Sequence, residues 1–125
     1  MSFAITENNN ILHIKLAGHI SNADLVALDK ELFEHWDAPN IKGHVYDYLA
    51  TTTFNFSEDE IKSIAVLDTN ESFISGRLNI AIVANDPEIL HFSRIYVQNM
   101  HNSDWTVEIF ETLEAGLAFC HNSVQ

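Results

Sequence analysis

The sequence is poor in positive charge, in cysteine and in the residues that interrupt regular structure. Six Lys and Arg stand against eighteen Asp and Glu, for a formal net charge of -12. The basic residues Lys15, Lys30, Lys42, Lys62, Arg77 and Arg94 form no cluster. Nucleic acid and anionic membrane are held by concentrated Lys and Arg, so both are poor partners for this chain. Cys120 is the single cysteine and has no partner for an internal disulfide, in keeping with a reducing compartment. With four Gly and two Pro there is no flexible linker, no glycine-rich phosphate loop and no Gly-x-Ser-x-Gly turn. No apolar run approaches the roughly 18 residues that span a bilayer. The opening MSFAITENNN, without basic residues or a long apolar stretch, does not read as a secretion signal. The resulting expectation is one cytoplasmic domain over residues 1–125, without an integral membrane segment.

What is present is best read outward from residues 77–100, RLNIAIVANDPEILHFSRIYVQNM. Leu78, Ile80, Ala81, Ile82, Val83 and Ala84 form a nearly continuous apolar run, as in a strand covered on both faces. Asn85 or Asp86 can cap a following helix, Pro87 suits its first turn, and Glu88 faces the positive end of its dipole. A buried strand feeding a helix in this way predicts an α/β fold.

Residues 2–6 and 11–17 read as two strands joined by an asparagine-rich turn. In the second strand, Ile11, His13 and Lys15 alternate with Leu12, Ile14 and Leu16, giving a wet and a dry face. Gly18, His19 and Ile20 are expected to turn the chain into a helix over 22–36, capped by Ser21 with Asp24. Leu25, Leu28, Leu32 and Trp36 form its apolar stripe, while Asp29, Lys30 and Glu34 are assigned to other faces. A strand follows over 43–50. Asp47, near its carboxyl end, is a candidate ligand contact, because open α/β sheets bind ligands beyond strand ends; the plain alternative is an Asp bonded to the loop after it.

Residues 51–57 read as an extended loop rich in Thr and Phe. Ser57 and Glu60 make a capping box for a short helix over 58–68 with a narrow apolar face. Phe73 and Ile74 sit in a polar connection. Trp105, Val107, Ile109 and Phe110 mark the last strand, and Thr112 caps a final helix that turns Leu113, Leu117 and Cys120 inward. The tail HNSVQ is expected to fray. The element order is therefore ββαβαβαβα.

This order, with the strings GHISNADL, VYDYLA, RLNIAIVANDPE, FSRIYVQ and VEIFETLEAGLAF at their positions, resembles the SpoIIAA-like proteins of the STAS and CRAL-TRIO-like fold group. The resemblance covers nearly the whole chain. It implies a mixed sheet of four or five strands with about four helices, the first strand antiparallel to its neighbour, in a family whose bacterial members are mostly of undefined biochemical role. STAS anti-sigma-factor antagonists carry a phosphorylated serine in an Asp-Ser-(Ser/Thr)-Gly string. The matching place here reads Phe56-Ser57-Glu58-Asp59. Only the serine is shared, and three following acids oppose added phosphate, so Ser57 reads first as a cap. The resemblance also implies Arg94, beside Tyr96, as an anchor for an anionic ligand or partner, whereas the residues alone suggest an ordinary ion pair.

Seven histidines show no zinc-motif spacing. No catalytic motif, metal site or cofactor is expected. Two functions remain. One is a non-catalytic regulatory or interaction module that presents loop 51–57 and the next helix to a protein partner or a second copy. The other is a binding module for a small apolar or amphipathic, lipid-like ligand, held between sheet and helices by Tyr48, Phe54, Phe56, Ile64, Phe73 and Ile74.

Overall fold

The computed structural model describes residues 3–122, so Ser2 of the first predicted strand and residues 123–125 of the HNSVQ tail lie outside the described residues. The chain runs β1 (Phe3–Asn8), β2 (Ile11–Ser21), α1 (Asn22–Glu31), a wider π-helical turn (Leu32–Trp36), β3 (Gly43–Asn55), α2 (Glu58–Ser75), β4 (Leu78–Val83), α3 (Pro87–Asn99), β5 (Trp105–Phe110) and α4 (Leu113–His121). The five strands form one sheet in sequence order. β1 is antiparallel to β2, and every later neighbour is parallel. Fold class and element order match those expected from the sequence.

The hairpin from β1 to β2 turns on Asn9 and Asn10, whose φ angles of 55° and 67° are those of a two-residue turn with both central residues left-handed. From β2 to β4 each strand is followed by a helix and then by its parallel neighbour, and β5 by α4. α1, α2 and α3 pack on one face over Leu12, Ile14, Leu16, Ile80 and Ile82. α4 covers the other face through Cys120, against Ile11, Val45, Ala81 and Val83. The fit there is close. A Cβ on Gly43 would meet Cys120 Cβ and Sγ at 2.7 Å, and one on Gly116 would meet Val83 Cγ2 at 2.8 Å, so both glycines serve α4's approach to the sheet. Burial pushes the Cys120 thiol up to about 12, which makes it an inert core residue.

Helix starts follow their caps. Ser21 and Asp24 bond reciprocally, as do Ser57 and Glu60, while Asp86 accepts from the Glu88 and Ile89 amides at 3.0 and 3.2 Å.

Three segments depart from their expected form. β2 does not turn at Gly18. The glycine takes a φ of 76° at an irregularity in pairing, and the strand then runs on to Ser21. Thr51 Oγ1 donates to Leu16 O at 2.8 Å, which satisfies a carbonyl at the irregularity. Loop 51–57 is correspondingly mostly strand, because β3 pairs with the extended β2 as far as Ser21 with Asn55. α2 continues past residue 68 to Ser75 rather than giving way to a connection. Its polar Ser72 is fully buried, donating within the helix to Thr69 O at 2.7 Å and accepting from the Asp104 amide at 3.0 Å, so a tertiary bond helps hold a weakly helical stretch in place.

Candidate functional site

α2 packs along α3, whereas between α1 and α2 lies a hollow, floored by β3. β3 alternates, so His44, Tyr46 and Tyr48 face these helices while Val45 and Asp47 face α4. Tyr46 and Tyr48 thus form the floor. Leu25 and Asp29 of α1 form one wall, Ile64 and Asp68 of α2 the other, and Phe92, Ser93 and Tyr96 of α3 the far side. The enclosed space is about 40 Å³ and is partly open to solvent. That holds about three waters, or the head of a small ligand with its remainder toward the mouth. Phe54 sits over the floor, edge-on to Tyr48 at 5.4 Å, against Phe92 at 5.9 Å and on Phe56 at 4.1 Å between centroids.

Two carboxyl groups meet in this apolar place. Tyr96 Oη donates to Asp68 Oδ2 at 2.6 Å, the length of a charge-assisted bond. Asp68 Oδ1 and Asp29 Oδ2 are enclosed and receive no hydrogen bond from the described residues. Burial, then the charge of Asp68 and a hydrogen bond with it, hold the Asp29 carboxyl well above the usual carboxylate range. Asp68 is raised too, chiefly by burial, while hydrogen bonds with Asp29 and Tyr96 pull it back. The Tyr96 hydroxyl, donating to Asp68, favours the negative charge of the pair at Asp68 and its proton on Asp29. Glu71, one turn on, is pushed up to about 7 by burial and then by the charges of Asp68 and Asp37. Burial and these carboxyls raise Tyr46, Tyr48 and Tyr96, so all three hydroxyls stay protonated at neutral pH. The arrangement offers aromatic walls and two carboxyls whose enclosed oxygens have no donor but the proton they share.

Of the residues singled out from the sequence, Tyr48, Phe54, Ile64 and Tyr96 come together around the hollow, with Phe56 stacked beside Phe54. Asp47 lies on the opposite face of the sheet, where His13 Nε2 donates to its Oδ2 at 2.8 Å and the Leu49 amide to its Oδ1 at 3.0 Å. Ser57 caps α2. Phe73 is 58% exposed and Ile74 73%, outside the hollow. Arg94 is exposed on α3 and, among the described residues, enters no ion pair.

Sequence reasoning missed Asp29, Tyr46 and Asp68. A signal for the two acids was present. Asp29 stands four residues after Leu25 and three before Leu32, and Asp68 four after Ile64, so each occupies a position within its helix's apolar stripe. Asp29, assigned to another face, in fact points inward, because Leu25 and Leu32 fix which side of α1 is buried. Among the described residues no group of three or more His, Cys, Asp or Glu is placed to hold a metal. No helix among them is long and apolar enough to cross a membrane.

The architecture, three helices on one face of a mixed five-stranded sheet and one on the other, is that of a SpoIIAA-like fold. Among solved structures the chain is similar to an uncharacterised protein of the DUF3478 family with a SpoIIAA-like fold from Shewanella loihica PV-4, at 12% identity and a TM-score of 0.57, over 94% of this chain and 91% of that one. No family profile matches the sequence, and no curated protein does. A likeness at this identity carries the fold and nothing of the function.

Proposed function

We propose that the protein is a non-catalytic binding module that takes a small amphipathic ligand in the hollow between β3 and helices α1, α2 and α3. The observation that carries this reading is the enclosed space itself, where buried carboxyl oxygens without donors face apolar and aromatic walls. Pockets of this composition, apolar with a few convergent polar groups, are the usual form of small-molecule sites. Ser93, 6% exposed, lines the space from α3 and is its smallest contributor there. Replacing it with phenylalanine is expected to fill the hollow. In a protein-observed NMR screen of small amphipathic fragments, wild type should show shifts clustered on residues of the hollow. Ser93→Phe, if folded by the same spectrum, should lose them at least tenfold in affinity. Shifts that cluster elsewhere, or that survive in the variant, count against the site.

A second reading, a regulatory module working through protein partners, is favoured by one surface. Val66, Leu67, Phe73 and Ile74 are 61, 52, 58 and 73% exposed and, seven residues apart in pairs, share the outer side of α2. Such a stripe outside the core is the form an interface takes before it is covered, and the simplest partner is a second copy of this chain. Wild type is then expected to sediment as a dimer at high concentration and a Phe73→Ser, Ile74→Ser double variant as a monomer. A monomeric wild type at every concentration removes self-pairing. This reading places the contact on the outer face of α2 rather than on residues 51–57, which are tied into the sheet as far as Asn55.

A further inference from the structure

We infer that the ligand's polar head is a compact organic monocation, a primary ammonium group received between Asp29 and Asp68. The inference rests on the hollow being a ligand site and adds the chemistry of what enters it. Asp68 is 3% exposed and its Oδ1 has no donor; Asp29 brings a second orphaned oxygen from the opposite helix. Ion pairs among the described residues join His13 to Asp47, His35 to Glu34 and His91 to Glu58, so none of the described side chains neutralises this pair. The other titratable groups facing it are Glu71 on α2, with Asp37 beyond it, the hydroxyls of Tyr46, Tyr48 and Tyr96, and His44 of β3, which lines the adjoining hollow with Asp29 and Glu71 and which burial holds at about 4, uncharged at neutral pH. None of them carries positive charge.

Two carboxyls in a low-dielectric hollow must share either a proton or a cation. An ammonium does what the proton does and brings three N–H donors to acceptors whose one other donor is that proton. The tyrosine rings, with Phe54 and Phe92, supply the faces on which desolvated cations rest. The two acceptors come from two different helices, which suits the three diverging donors of an ammonium, whereas the planar fork of a guanidinium pairs with a single carboxylate. A calcium or magnesium ion calls for about six oxygen ligands, more than this pair offers. The alkyl or aryl remainder of the ligand would lie along Leu25 and Ile61 toward the mouth.

The test compares n-butylammonium and benzylammonium with 1-butanol and benzyl alcohol, matched in shape but uncharged, by NMR titration at about 0.15 M salt, where diffuse attraction to the acidic surface is screened. The amines are expected to shift signals of Asp29, Tyr46, Asp68 and Tyr96 and to bind at least tenfold more tightly than the alcohols. Asp68→Asn and Asp29→Asn should each remove most of that preference. Because the amine displaces the shared proton, its affinity should rise from pH 5 to pH 8 while that of the alcohols stays flat. Alcohols that bind as well as amines, with Asp68→Asn indifferent, overturn the cation and leave the ligand site standing. No response to any probe in the hollow overturns both, and leaves the space to water and the shared proton.

Discussion

Replacing Phe54 by alanine is expected to lower the free energy of unfolding by about 3–5 kcal/mol, the usual cost of removing a buried aromatic ring. Phe54 is 5% exposed and joins three elements at once, through Tyr48 of its own strand, Phe56 beyond the strand's end and Phe92 of α3. Each ring pair lies at a centroid distance where aromatic contacts add to simple burial. Were residues 51–57 a loop free to meet a partner, the same substitution would cost well under 1 kcal/mol, as most surface changes do. Urea denaturation of the variant separates the two values. A domain of this size has only about 5–15 kcal/mol to lose, so the predicted shift in midpoint is large. Amide exchange gives an independent reading. Those amides of residues 53–55 that bond to β2 should be protected in wild type and exposed sooner in Phe54→Ala, because the pairing of this stretch with β2 is held down by that ring.

The frame of the fold was legible where local chemistry and tertiary packing agree. The Asn9-Asn10 turn, the caps Ser21, Ser57, Asp86 and Thr112, and the apolar run of β4 specify their own conformations, and each is found as expected. The sequence was misleading where packing decides against local preference. Gly18 signals a turn, yet in place it permits an irregularity that lets β2 run on. Thr51, Thr52 and Thr53 have strand propensity, but they lack an apolar alternation to announce a partner strand. α2 extends through Thr69, Asn70 and Ser72 because the Asp104 amide and the Thr69 carbonyl lie where the Ser72 hydroxyl can use both. The candidate site was half legible for a related reason. Aromatics such as Tyr48 and Phe54 attract notice anywhere, whereas an acid in an apolar stripe reads as an irregularity of the helix until a second acid is seen across from it. The meeting of Asp29 and Asp68 depends on how two helices cross one strand, which no local pattern records.

That meeting sets the pH dependence of stability. Asp29 and Asp68 have folded-state values above the ordinary 3.8, and Glu71 is raised from 4.5 to about 7. Between its ordinary and its raised value, each group binds more protons folded than unfolded. Its stabilising contribution is therefore full below about pH 4 and is lost as pH rises through the raised value. His44 acts the other way. Burial holds it at about 4 against an ordinary 6.5, so its contribution is present above 6.5 and lost as pH falls toward 4. The two trends oppose each other between pH 4 and 6.5, whereas above 6.5 the carboxyls act without that opposition. Stability is thus expected to fall from pH 6.5 to 8.5, when the common expectation for an acidic protein with ordinary carboxylates is little change. Asp29→Asn should flatten the decline, since it removes one of the two coupled acids and supplies an amide donor for an orphaned oxygen. At pH 8.5 the variant should exceed wild type by about 1–3 kcal/mol, the range for relieving an unpaired buried polar group, with a smaller difference at pH 5. Urea midpoints across the range decide it. A wild type that is more stable at pH 8.5 than at 6.5, or a variant whose curve runs parallel to it, would show that the two carboxyls reach water and that the hollow is not the low-dielectric site described.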